Sequence, residues 1–118
     1  MKRLGLVSVI TLLLISCKHT GNVSIPSDVI LPDSMAVLLT EVHTLQASLQ
    51  LGYSKNDSII SAGQAFADLW KKRHITQNDY NRYVTFYTHH PEMLDSVYEK
   101  VINNINQQKA ELLGKTNH

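Results

Sequence analysis

Glu41 and His43, and the histidine pair His89-His90, are the side chains in this sequence best placed by type to do acid–base or metal chemistry. Glu41 and His43 lie in a stretch of helical periodicity. Two residues apart on a helix they diverge by about 200°, so they cannot act as one acid–base pair. His43 falls beside Leu39 on the helical wheel, at the border of the apolar face, and is expected to hydrogen-bond a tyrosine or a carbonyl. Adjacent histidines such as His89 and His90 rarely ligate one ion, and neither Cys nor a His-x-x-x-His spacing joins them, so neither metal nor cofactor is expected. Serines are plentiful, but there is no Ser-His-Asp spacing, Gly-rich phosphate loop or activated thiol. The expectation is a protein that is not an enzyme.

Aromatic side chains carry the stronger pattern. Tyr80, Tyr83, Val84 and Tyr87 recur at i, i+3, i+4 and i+7 and share one helical face. With Trp70 and Tyr98 they suit a half-wet bundle seam, since tyrosine and tryptophan bury a ring while a polar tip reaches water. The same rings would serve as a patch for a protein partner, or as a groove for a small ligand or peptide. Glu41, His43, Trp70, Tyr80, Tyr83 and Tyr87 are therefore the candidate interaction residues.

The elements that must position these groups are helical. Thr76 and Asp79 have capping-box spacing, with Asp in place of Glu or Gln. Pro91 fits a first helical position and Glu92 suits its dipole. Beyond it Leu94, Val97, Tyr98, Val101, Ile102, Ile105 and Leu112 form a second apolar stripe, with Gly114 as a plausible stop. Upstream, Asp33 or Ser34 is expected to cap a helix carrying Met35, Leu38, Leu39, Val42, Leu45 and Leu49, closed by Gly52. The next helix carries Ile59, Ala62, Gly63, Phe66, Leu69 and Trp70, and Gly63 there predicts close backbone packing. Lys71-Lys72-Arg73 sits where it complements that helix's dipole. Four helices with short connections predict an all-α fold, a small four-helix bundle.

The start of the chain reads as an address. Lys2 and Arg3 precede a short apolar run, too short to cross a bilayer and typical of an export signal. Leu14-Ile15-Ser16-Cys17 resembles a bacterial lipobox, which implies cleavage before Cys17 and acylation of its thiol and new amino terminus. Two or more acyl chains make anchoring stable where one does not. Cys17 is the only cysteine, so no intrachain disulfide is possible. Lys18 follows it in place of the Asp that retains such proteins at the inner membrane, which favours the outer membrane of the cell envelope. The expected organisation is a signal at 1–16, a lipidated tether at 17–33 with Ile25 and Ile30-Leu31 as docking points, and a helical domain at 34–118. Cutting before Cys17 removes Lys2 and Arg3 and turns the net charge of +1 into −1. A nearly neutral surface argues against nucleic-acid binding. The expected partners are the membrane, through lipid on Cys17, and another envelope protein.

These residues together resemble the small Bacteroidota lipoproteins grouped as domain of unknown function 4296. That family tends to show a lipobox, an Ile-Pro tether, a first helix of the form Met-x-x-Ile-Leu-x-Asp-x-His-x-x-Glu-Ala, then Phe-Lys-Lys-His-Gly-Ile-Thr and a Tyr-Tyr/Asn-Pro junction. The matching residues are Ile25-Pro26, Met35, Leu38-Leu39, His43, Ala47, Trp70-Lys71-Lys72, Ile75-Thr76, Tyr80, Tyr87, His90-Pro91, Leu94, Tyr98 and Val101. Glu41 stands where the family prefers Asp, Gln46 where it prefers Glu, and His74 where it prefers Gly. A side chain at 74 weighs against a left-handed turn there. The resemblance implies the fold and the address, and no chemistry.

Overall fold

The computed structural model describes residues 22–52 and 61–116, so the signal, Cys17 and Ile59 lie outside the described residues. Within them are four helices: α1 (Pro32–Gln50), α2 (Ala62–Arg73), α3 (Gln77–Thr88) and α4 (Pro91–Thr116). No strand occurs among the described residues, and the all-α bundle read from the sequence stands.

The cap expected at Asp33 or Ser34 falls elsewhere. Leu31 is the N-cap and makes no side-chain cap bond; Pro32 opens the helix and Asp33 sits in its first turn. Proline's fixed φ starts the helix where an N–H is unneeded, so a capping oxygen is dispensable. Gly52 does close α1, at φ +68°. The capping box is present in full: Thr76 Oγ1 accepts from Asp79 N–H, and the Asp79 carboxylate accepts from Thr76 N–H at 2.8 Å.

Two glycine expectations fail. A Cβ at Gly63 would meet only Ser61 Oγ, at 4.0 Å, so no neighbouring backbone needs the space. Gly114 does not stop α4, which continues to Thr116. A mid-helix glycine costs only about 1 kcal/mol, and Thr116 Oγ1 bonds back to the Leu112 carbonyl. His74, against expectation, takes the left-handed conformation, at φ 54° and ψ 38°. Its N–H reaches the Lys71 carbonyl and the Ile75 N–H reaches that of Trp70. Two hydrogen bonds that finish α2 offset the cost of a side chain at positive φ.

At 12 residues each, α2 and α3 are near the length at which isolated helices are marginal in water. Tertiary burial therefore holds them. Met35, Leu38, Leu39 and Val42 from α1 meet Leu69 and Trp70 from α2, Tyr83 and Tyr87 from α3, and Val97 and Val101 from α4. Lys72 and Arg73 lie against Glu41, so α2 runs back along α1. Tyr87 reaches Ile30, before α1, so α3 continues toward the same end. There the chain reverses at Pro91, and α4 runs beside α1 in the same direction in the broadest seam of the bundle. At that seam buried Thr40 donates to the Ala36 carbonyl and accepts from Asn104 Nδ2.

The segment before α1 is docked. Ile25 and Ile30 pack on the core as expected, whereas Leu31 is 63% exposed and Val29, which the sequence did not single out, is buried. Val29 N–H closes a turn on the Pro26 carbonyl.

Candidate interaction site

The tyrosine face divides along its length. Tyr87 is fully buried and donates from its hydroxyl to the Ile30 carbonyl at 2.7 Å. Tyr83 is also buried. Tyr80, half-buried, stacks on Trp70 with ring centroids 4.8 Å apart, and the Phe66 ring lies 5.8 Å from that of Trp70. Burial pushes the Tyr80 and Tyr87 phenols above their ordinary range, with nearby Tyr98 adding to the effect at Tyr80. These phenols stay neutral at physiological pH and are packing groups, not nucleophiles. Tyr83 and Tyr87 thus belong to the core and not to an exposed patch. What remains on this flank is a shallow groove of about 340 Å³ between Val42, Gln46, Phe66, Trp70 and Tyr80. Its rings spend their faces on one another, which leaves little aromatic surface for a ligand.

Glu41 and His43 occupy separate surfaces, as their spacing requires. Glu41 accepts from Lys72 Nζ at 3.0 Å and from Arg73 Nε. The Arg73 hydrogen bond holds its carboxyl below the usual value, against a smaller upward push from burial, with Lys72 assisting. The basic run at the end of α2 therefore does two things: it complements the dipole and clasps α1. His43 lies 6.1 Å from the Tyr98 ring, tilted by 40°. Its buried Nε2 has no hydrogen-bond partner among the described residues, so the tyrosine or carbonyl partner expected for it is not made there.

His89 and His90 lie at the α3–α4 junction, and each Nδ1–H faces a carbonyl of its own last turn, Thr85 and Phe86, at 2.7 Å. They share a cleft of about 740 Å³ with Asn22, Val23, Pro32 and Met93. Among the described residues no three His, Cys, Asp or Glu side chains gather as a metal site would require.

Several exposed apolar side chains lie where the sequence showed one continuous stripe. On α4, Leu94, Val97 and Val101 turn inward, while Tyr98, Ile102, Ile105, Leu112 and Leu113 are 38–66% exposed. At about 100° per residue, Tyr98, Ile102, Ile105 and Leu112 fall within roughly 80° of arc that adjoins the packed face, with Leu112 in line with Leu94. From Ile105 to Thr116 every residue is exposed. Only the width of the stripe, seven apolar positions on one helix, hinted that one seam could not cover it.

The described residues define a small all-α helical bundle. The chain matches the family described as Domain of unknown function (DUF4296) over residues 26–111, and it belongs to that family. No curated protein and no solved structure matches it.

Proposed function

We propose that this chain is a lipid-anchored protein of the cell envelope, held at the outer membrane through Cys17, that works by docking another envelope protein rather than by catalysis. The observation that carries the docking reading is the exposed stripe Tyr98, Ile102, Ile105 and Leu112 along α4. An exposed apolar helix face, bordered by Asn106 and crossed by the Lys109 side chain, is the kind of surface that receives a partner helix or groove. The lipobox and Lys18 support the address. The contact residues move from the tyrosines of α3 to α4, because Tyr83 and Tyr87 have no surface left to offer.

Labelled palmitate fed to cells should enter the chain and fail to enter a Cys17→Ala variant. A photo-reactive phenylalanine analogue at Ile105 in intact envelopes should give one discrete protein adduct. Unlabelled chain, or a smear of random neighbours equal to that from the exposed α3 residue Thr85, would refute the corresponding half of the proposal.

A further inference from the structure

We infer that the end of the bundle where the tether leaves is a membrane-contact surface, seated on the lipid bilayer with the cleft of Val23, Pro32, Pro91 and Met93 facing it. The inference deepens the lipid-anchor reading above and rests on it.

Chain length sets the geometry. Cys17 precedes Asn22 by five residues, which span at most about 18 Å when fully extended. Asn22 and Val23 already line the cleft, together with the first turns of α1 and α4. An anchor at Cys17 therefore holds this end of the body nearest the lipid. Leu112 lies roughly 32 Å further along α4 than Pro91, well beyond the spacer's reach. Because α1 and α4 run in the same direction from the cleft, their C-terminal halves point away from it together.

The surface chemistry there suits an interface. Val23 is 42% and Leu31 63% exposed, the large apolar groups outside the packed core at this end. Pro32 and Pro91 carry no N–H, so pressing them toward lipid desolvates no donor. Asp28 faces Arg82 at 3.3 Å and Asp33 is paired with Lys100. Those cations offset the repulsion that two acids would feel from anionic headgroups. Asn22, His89, His90, Glu92 and Ser96 also line the cleft, so this end would meet the polar headgroup layer, not the hydrocarbon.

The test uses the full acylated chain in phosphatidylcholine–phosphatidylglycerol vesicles carrying spin-labelled lipid. An environment-sensitive fluorophore is placed through Val23→Cys, Ser96→Cys or Leu112→Cys, Cys17 being blocked by acylation. Flotation reads the anchor independently: the chain should float and Cys17→Ala should not. Quenching should be several-fold greater at 23 and 96 than at 112. Leu31→Asp, at an exposed position, should lower quenching at 96 without changing flotation. A floating chain with equal or reversed quenching overturns the contact surface and leaves the anchor standing. Quenching at 96 that ignores Leu31→Asp would mean that tether length alone brings this end to lipid, which also overturns it. A chain that does not float removes anchor and contact surface together.

Discussion

The two ends of α4 use the same kind of side chain to opposite purpose. Near Pro91, Val97 and Val101 are 0% and 2% exposed and lock against Met35, at 0%, and Tyr87, at 0%. Past Asn104, Ile105, Leu112 and Leu113 stand in water at 38–66% exposure. Leucine and isoleucine are not drawn to one end by chemistry. The difference is that α1 and α3 cover the first end, and nothing among the described residues covers the second. A helix face that is apolar beyond the span of its own fold carries surface the fold does not need, and that excess is what the docking proposal uses.

If stability lives in one region and contact in the other, substitutions should separate them. The largest effect is expected from Tyr87→Ala, which empties a fully enclosed site and strands the Ile30 carbonyl. It should cost about 3–5 kcal/mol, measured by urea unfolding, and Tyr87→Phe about 1–2 kcal/mol. Leu112→Ala should stay within about 0.5 kcal/mol of the wild type. Comparable losses at 87 and 112 would erase the contrast between the regions.

The next effect concerns the joint between α2 and α3. Thr76→Ala should cost about 1 kcal/mol through loss of the capping box. His74→Gly should stabilise by about 0.5–1 kcal/mol, because it relieves a side chain at positive φ, less the extra entropy of an unfolded glycine. Thermal midpoints of both variants check this, and a destabilised His74→Gly would give the imidazole a role beyond ending the helix.

The smallest effect is electrostatic. Glu41 sits below its ordinary value of 4.5 chiefly through Arg73. A carboxyl with a depressed folded value contributes stability above the unfolded value and loses it as pH falls through the folded one. Glu41→Gln should therefore cost under about 1 kcal/mol at pH 7, as exposed pairs do, and the gap should close below pH 4.5. Asp79 is depressed too, by Thr76, but it titrates in both chains and cancels from the difference. Urea midpoints at pH 7 and pH 3 give the comparison; a gap that widens in acid would contradict the clasp.

Much of this was legible in the residues. The four helices, the capping box and the proline start of α4 follow from local spacing and dipole chemistry, whereas spacing put Tyr87 on a shared face without saying whether that face was core or contact. What was not legible depends on tertiary partners. His74 at positive φ is a local exception: a helix-ending αL position, closed by His74 N–H to Lys71 and Ile75 N–H to Trp70, is filled by a residue type that seldom takes it. Glu41's clasp joins residues more than thirty apart. The docking of Val29 and the splitting of the α4 stripe depend on which neighbours arrive, since periodicity reports that a face is apolar and not what covers it. Gly63 and Gly114 misled for the converse reason: a glycine's cost is small enough for a helix to absorb without using its freedom.

The division of labour between the regions is tested most directly by one double variant, Ile102→Asp with Leu112→Asp, in a chain carrying the photo-reactive group at Ile105. The prediction is an unchanged urea midpoint together with loss of the discrete adduct in intact envelopes. An adduct that survives both charges, or a midpoint that collapses because these residues were holding the fold, would contradict it.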